Sequence, residues 1–244
     1  MQGLWQGPPA NVDWCEPNYV VTPFVAEFWN TLSSLPMVAL GVYGLWRWTR
    51  LEGGLRRHAW LFAGLAMVGV GSTAFHGTLL RPAQALDELP MVYLGMVAVW
   101  AVALRAAPRE AGGGLAAAMG LYAVGFTFAY FTWEASFFVF VASYGALVTY
   151  AALRSMWLTW GRGGSPLLGR LLQVSSVGFL GSFFFCWIPE HVLLPCDHPV
   201  QVLPLHAIWH IAAGVGTYTW CLWVVGDRAR IEGRELVLRA GFVG

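Results

Sequence analysis

The chain has 244 residues, of which 57% are hydrophobic and only 11% are charged, and its formal net charge is +1. Soluble domains carry about 25% charged residues, whereas apolar runs of about 20 residues, long enough to cross a bilayer as a helix, recur along this chain. This composition excludes an ordinary soluble domain and gives no reason to expect a nucleic-acid partner. We predict an all-α, polytopic membrane bundle.

The apolar runs predict seven transmembrane helices, which follow a polar N-terminal arm that has acidic but no basic residues. The run over residues 115–156 would be about 60 Å long as one helix, twice the hydrocarbon thickness. It must therefore reverse, and Thr132, Trp133 and Glu134 form its polar break. The other predicted helices cover residues 28–48, 58–80, 88–104, 168–188 and 203–225.

Arginine residues indicate the orientation of these spans. All fourteen basic residues are arginine, and with seven spans Arg81 is alone on one side of the membrane. Because cytoplasmic loops are enriched in basic residues, we predict an extracytoplasmic N-terminus and a cytoplasmic C-terminus. The chain then divides into an extracytoplasmic acidic arm (1–27), a transmembrane domain (28–226) and a cytoplasmic basic tail (227–244).

Three histidines are predicted at the extracytoplasmic ends of helices. His206 and His210 are four residues apart, so their rings project from one helix face, one turn apart. That spacing suits two ligands of one zinc ion, although alone it is equally compatible with a packing role. His76 is predicted at the same depth, and ionisable groups within a membrane are usually functional. Three protein nitrogens with a fourth position open are the catalytic arrangement of zinc.

The other three histidines fit such a site less well. His58 lies among arginines that are predicted to be cytoplasmic, on the wrong side of the membrane. His191 and His198 lie in a segment predicted to be a solvated extracytoplasmic loop. We therefore expect none of them to be a metal ligand.

Several polar residues close to His76 in sequence are candidates for catalysis. Ser72 lies one helical turn before His76, although serines that bond back to their own helix are common in membranes. Asp87 is either a functional carboxylate or the N-cap of the third helix. Glu88 could take either role instead, and spacing does not choose between the two.

The N-terminal arm offers oxygen ligands. Asp13, Glu16 and Asn18 are followed by Glu27, with no basic residue nearby. Oxygen ligands at close spacing suit a hard cation such as calcium. The arm does not match an EF-hand loop, and its pattern alone favours a solvated acidic loop.

Five separated motifs, DWCEPNY, AEFWNTLSS, GSTAFH, DELPM and HAIWH, occur in this order along the chain. In order and spacing they resemble the motifs of the alkaline ceramidase family. The members of this family are seven-helix, zinc-dependent membrane amidases. The resemblance implies zinc binding by His76, His206 and His210, a general base at Asp87, and a hydrogen bond to the oxyanion or substrate from Ser72. The chain departs from the family at Glu190, where aspartate is usual. Because of this departure, the resemblance implies no particular acyl-chain length for the substrate.

The resemblance also implies two features of the arm. It implies a calcium site formed by Asp13, the carbonyl of Trp14, Glu16, Asn18 and Glu27. It further implies a disulfide between Cys15 and Cys196, with Cys186 as an alternative partner for Cys15. Both cysteines of the first pair are predicted to lie in an oxidising compartment, where a disulfide persists.

The function expected from these residues is zinc-dependent hydrolysis of the amide of a ceramide-like lipid to a sphingoid base and a fatty acid. Calcium would act indirectly, by fixing the arm near the entrance of the site. One alternative is a lipid-binding receptor of the seven-helix adiponectin-receptor type, and another is a non-enzymatic membrane maturation protein. We expect a multi-pass protein of the ER or Golgi membrane in a eukaryote, or of the plasma membrane in a bacterium.

Overall fold

The computed structural model describes residues 3–51, 55–107, 112–133, 136–161, 165–234 and 237–243. Within these ranges the fold is mainly helical, apart from the N-terminal arm before Phe28, a few connections and a short β-hairpin. The α-helices are α1 Phe28–Trp48, α2 Arg56–Thr78, α3 Arg81–Ala103, α4 Gly113–Thr132, α5 Ser136–Trp160, α6 Pro166–Ser176 and α7 Leu205–Ile231. Arg109, Arg162 and Glu134, which entered the predicted topology, lie outside the described residues.

In the ranges that the structure describes, six helices are long and apolar enough to cross a membrane. They are α2, α3, α4, α5, α7 and the helix formed by α6 with its π-helical continuation, Pro166–Leu193. The first helix, α1, has 21 residues but is not among the six. Asn30, Ser33 and Ser34 are buried along α1, and these polar residues lower its hydropathy.

Close approaches between backbones hold α1, α2 and α3 together. A Cβ atom at Gly41 of α1 would lie 2.4 Å from the backbone nitrogen of Ala66 in α2. A Cβ atom at Gly71 of α2 would lie 1.9 Å from the carbonyl oxygen of Leu86 in α3. Small residues allow this contact, as is usual between membrane helices. The second contact places Ser72 of α2 next to the Asp87 turn of α3.

The connection between α2 and α3 is shorter than predicted. It consists of Leu79, in the left-handed conformation with φ 51°, and Leu80, the N-cap of α3. Asp87 therefore lies in the second turn of α3, and its prediction as an N-cap is wrong. The polar residues that suggested a loop are helical because their side chains bond inside the protein; for example, Gln84 donates to Glu88.

The last two helices are longer than predicted. The π-helical turns after α6 continue to Leu193 and include His191, which we had placed in a solvated loop. Helix α7 ends at Ile231, so the predicted tail begins inside it. Beyond it, β1 (Leu238–Arg239) and β2 (Phe242–Val243) form an antiparallel hairpin. The hairpin buries Phe242 against Phe62 of α2, closing the end of the bundle.

Candidate functional site

Three histidines meet where the end of α2 faces the start of α7. One ring nitrogen from each of His76, His206 and His210 lies within 4.8 Å of those of the other two. The three residues are 0%, 4% and 5% exposed. His206 and His210 share a face of α7 as their spacing predicted, and the contact between α2 and α7 adds His76. Among the described residues this is the one cluster of histidine, cysteine or carboxylate groups arranged for a metal ion.

Contacts with α1 set the proton positions on two of these rings. His76 Nδ1 is hydrogen-bonded to the Glu27 carboxylate, and His210 Nδ1 lies 3.1 Å from the carbonyl oxygen of Asn30. A carbonyl only accepts, so His210 Nδ1 carries the proton, and His76 Nδ1 carries it when Glu27 is ionised, the state that a nearby cation favours. Both rings are then left with an Nε2 lone pair. Metal-binding histidines usually have this arrangement of an outer partner on one nitrogen.

One further observation indicates that the three histidines fit a metal ion. His76 Nε2 is buried and has no hydrogen-bond partner among the described residues. Buried polar atoms are nearly always partnered, so an orphaned imidazole nitrogen in a three-histidine cluster indicates a missing ligand. Imidazole suits zinc, copper, iron and nickel, and it is not a typical ligand of calcium or magnesium.

A cavity beside the histidines contains both candidate catalytic residues. Ser72 and Asp87 line it together with His206 and His210. The Ser72 hydroxyl is 2.9 Å from that of Ser34, so Ser72 bonds to α1 and not back to its own helix. Ser34 in turn donates to the carbonyl of Asn30.

The contacts of the two adjacent acidic residues differ. The Glu88 carboxylate accepts hydrogen bonds on both oxygens, from Gln84 Nε2 at 2.7 Å and from the Tyr130 hydroxyl at 2.5 Å. Arg81 also donates to that hydroxyl. The Asp87 carboxylate has no hydrogen bond to any other group in the described part of the chain. Asp87 is therefore the carboxylate that is free to act in the cavity.

The N-terminal arm reaches the histidine cluster. The Trp14 ring stacks on His206 with a centroid separation of 3.6 Å, and the Trp14 backbone N–H donates to Glu27 Oε1 at 3.1 Å. Cys15 and Cys196 form a disulfide, which is the first of the two pairings considered above, and Cys186 is free. The disulfide ties the arm to the segment that precedes α7. The arm thus forms one wall of the site.

The proposed calcium ligands differ in how many hydrogen bonds they form within the protein. Glu16 accepts hydrogen bonds from the backbone N–H groups of Trp29 and Asn30, at 2.7 and 2.8 Å, and so caps α1. Burial raises the pKa of Glu27 to about 8, and the charge of Asp13 adds to this rise. Asn18 donates to both Asp13 oxygens, and its own Oδ1 is buried without a partner among the described residues.

The remaining histidines stand apart from the cluster. His58 is buried beside Arg57 at the start of α2, at the other end of that helix from His76. His191 lies against Trp14, at a centroid separation of 5.0 Å, and is outside the three-nitrogen group. His198 accepts a hydrogen bond from the backbone N–H of Val200.

Sequence reasoning gave no role to several residues that support the site. Asn30, Ser33 and Ser34 occur at positions i, i+3 and i+4 of α1, and all three contact His210 Nδ1. That helical spacing of polar residues in an apolar segment was a usable signal. Glu190, whose carboxylate is 3.8 Å from His206, had no such signal, because nothing local links it to α7.

Comparison with known proteins gives one consistent result. A profile described as ceramidase matches residues 7–239. The chain is 35% identical to alkaline ceramidase 3 of Mus musculus over 242 residues, which are 93% of this chain and 87% of that protein. It is 28% identical to putative alkaline ceramidase dcd3A of Dictyostelium discoideum, covering 92% and 88% of the two chains. It is also 28% identical to alkaline ceramidase YPC1 of Saccharomyces cerevisiae, covering 88% and 76%.

Proposed function

This chain belongs to the ceramidase family, and we propose that it hydrolyses the amide bond of a ceramide-like lipid, releasing a sphingoid base and a fatty acid. The observation that carries the proposal is the buried three-histidine cluster, with an unpartnered nitrogen on His76, beside a cavity that Asp87 and Ser72 line. A membrane bundle is suited to such a substrate, because the reacting amide lies between two long apolar chains.

We propose zinc as the ion that His76, His206 and His210 hold. Zinc bound by three nitrogens supplies a Lewis acid for the carbonyl and lowers the pKa of a coordinated water to about 7. Glu27 and the Asn30 carbonyl would keep the protons on Nδ1 of His76 and His210 and so leave their Nε2 lone pairs for the ion. The protein thereby presents preformed ligands and need not reorder them on binding.

Asp87 is proposed as the general base and then the general acid. Its carboxylate takes a proton from the attacking water and later returns it to the leaving amine as the C–N bond breaks. The Asp87 carboxylate has no hydrogen bond from any described residue, which leaves both of its oxygens available for this exchange. Glu88 is unsuited because Gln84 and Tyr130 occupy its oxygens.

Ser72 is proposed to donate a hydrogen bond to the developing oxyanion or to a substrate hydroxyl. In the structure Ser72 donates to Ser34, because Ser34 donates its own hydrogen to the Asn30 carbonyl, so the Ser72 hydroxyl would turn from Ser34 toward the substrate. The same carbonyl contacts His210. Asn30 therefore aligns the serine and one metal ligand from a single point on α1.

The lipid chains are proposed to lie in the apolar interior between α3, α5, α6 and α7. A cavity there is lined by Leu94, Ala98, Val148, Ala151 and Leu172, and it shares Leu94, Tyr144, Phe179 and Thr217 with the cavity beside the histidines. An apolar chain that starts at the site can therefore continue into the core without entering water.

Calcium is proposed to bind Asp13, the Trp14 carbonyl, Glu16, Asn18 and Glu27. The support lies in the surroundings of the carboxyls: burial is the main cause of the raised pKa values of Glu27 and Glu16, and the charges of Asp13 and Glu27, respectively, raise them further. Such a cluster of like charges is stabilised by a cation with oxygen ligands. Because Glu27 also contacts His76, calcium would fix the arm and one metal ligand together.

We further propose that α1 is a seventh span, with the N-terminus extracytoplasmic and the C-terminus in the cytoplasm. Gly41 and Gly44 pack α1 against Ala66 and Phe62 of α2, so α1 runs alongside α2 as part of the bundle. The arginine distribution supports the orientation. The protein would then reside in the ER or Golgi membrane of a eukaryote or the plasma membrane of a bacterium, with its site on the outer side.

Metal analysis of the purified protein tests the proposed site. We expect about one zinc per chain, lost in His206→Ala and kept in His198→Ala, which removes a histidine outside the cluster. Wild-type protein without zinc would refute the metal site. A zinc-loaded protein that bound ceramide but never released fatty acid would favour the receptor alternative.

A further inference from the structure

Two glutamates connect the N-terminal arm to the histidine cluster in the same way. The backbone N–H of Trp14 donates to Glu27 Oε1, and the next N–H, that of Cys15, donates to Glu190 Oε1 at 3.3 Å. The second oxygen of Glu27 contacts His76 Nδ1. The second oxygen of Glu190 faces His206 Nδ1 at 3.8 Å.

The two facing atoms at Glu190 and His206 both lack partners. Glu190 Oε2 and His206 Nδ1 are buried and form no hydrogen bond to any described residue. Each side chain is 4% exposed, so water does not readily replace a partner. A separation of 3.8 Å is too long for a hydrogen bond, and a shift of about 1 Å would form one. Buried polar atoms in this state are costly, which favours closure of the gap.

The neighbours of His206 leave its ring little freedom to find another partner. Trp14 stacks on the ring, with centroids 3.6 Å apart. The His210 ring meets it edge-on at 4.4 Å. Between these two rings the facing carboxylate of Glu190 is the nearest acidic partner that the structure shows for His206 Nδ1.

We propose that Glu190 is a positioning residue for the metal site. Its carboxylate accepts a hydrogen bond from the Nδ1–H group of His206. The proton is thereby held on Nδ1, and Nε2 keeps its lone pair for the metal, as Glu27 does for His76. Through Cys15, Glu190 also couples the position of the disulfide-linked arm to His206. This inference rests on the proposed zinc site and adds to it the partner of the third ligand.

The test is the zinc affinity of Glu190 variants, measured by competition with a chromogenic chelator. Loss of an outer partner typically lowers metal affinity by about 10–100-fold. We expect the loss of zinc affinity in Glu190→Leu to lie near the upper end of that range. In Glu190→Gln, which keeps a neutral acceptor, the loss should lie near the lower end. Glu190→Asp keeps the charge and should retain more affinity than either. Glu232→Gln is the matched control, since Glu232 bonds to Arg228 and Arg234 far from the cluster.

A second readout separates positioning from a structural role. Cobalt in place of zinc gives a visible spectrum that reports ligand geometry, and we expect that spectrum to change in the Glu190 variants and not in Glu232→Gln. If Glu190→Leu does not fold, the isosteric Glu190→Gln carries the test. If folded, disulfide-bonded Glu190 variants had wild-type zinc affinity and an unchanged cobalt spectrum, the role of Glu190 would be refuted. The proposed zinc site would not be affected by that result. Wild-type protein that binds no zinc would overturn the proposed site, and this inference with it.

Discussion

Gly71 and Leu86 are in backbone contact: a Cβ atom at Gly71 would stand 1.9 Å from the Leu86 carbonyl oxygen. This approach fixes α2 against α3 at the level where Ser72 and Asp87 enter the same cavity. Glycine is needed here because any side chain would keep α2 and α3 apart. Its dihedral freedom plays no part, because Gly71 has the ordinary helical conformation of α2. The distance between the serine and the aspartate thus depends on a residue that carries no chemistry.

Gly71→Ala should therefore destabilise the protein and reduce its activity. Overpacking costs about 1–3 kcal/mol, and a backbone oxygen cannot rotate away as a side chain can. The matched control is Gly120→Ala in α4, where nothing lies within 4 Å of the added methyl. There the higher helix propensity of alanine, worth up to about 1 kcal/mol, should leave stability unchanged or improved. Equal thermal stability of the two variants would contradict the proposed contact.

Asp87→Asn should lower the turnover number by about 10²–10⁴-fold, because a general base contributes roughly that factor. Zinc content should remain that of the wild type, since Asp87 is not among the proposed metal ligands. Turnover and bound zinc are measured on the same preparation. An Asp87→Asn protein that is folded, zinc-loaded and fully active would show that another group takes the proton.

Calcium should stabilise the protein through the arm. A ligand at one hundred times its dissociation constant adds about 2.7 kcal/mol to the free energy of unfolding. We expect calcium to raise the melting temperature of the wild type and to have little effect on Asp13→Asn or Asn18→Ala. Asp197→Asn, which removes an acidic residue in the segment before α7, should respond like the wild type. A calcium response that survives in Asp13→Asn would place the ion elsewhere.

Breaking the disulfide should loosen the arm. Removing a native disulfide typically costs about 2–5 kcal/mol, and here the bond also holds Trp14 and Glu27 against the histidines. Cys15→Ser should accordingly lower both the melting temperature and the zinc affinity. Cys186→Ser, which replaces a free cysteine, is the comparison for effects of the substitution itself. Unchanged zinc affinity in Cys15→Ser would mean that the arm does not support the metal site.

Much of this arrangement is predictable from residue patterns. Hydropathy alone locates the six described helices that are long and apolar enough to cross a membrane, and the spacing of His206 and His210 places both rings on one face. The boundary of α3 was not predictable, because Arg81, Gln84 and Asp87 have the composition of a loop. Their helical state depends on partners such as Tyr130, which is 49 residues from Arg81.

The outer partners of the histidines show a second limit of sequence reasoning. The polar spacing of Asn30, Ser33 and Ser34 on α1 suggests a buried polar face, but it does not say which ring they contact. Glu190 meets His206 only because the disulfide and the π-helical continuation of α6 bring them together. Contacts of that kind belong to tertiary structure and have no local signature.

The central claim is that the three-histidine cluster makes this protein a metal-dependent ceramide amidase. The most direct measurement is fatty-acid release from ceramides of differing acyl length by detergent-purified protein, before and after zinc chelation. We predict release that is abolished by the chelator and restored by added zinc. Release that continues at the original rate in protein shown to be free of metal would contradict the account.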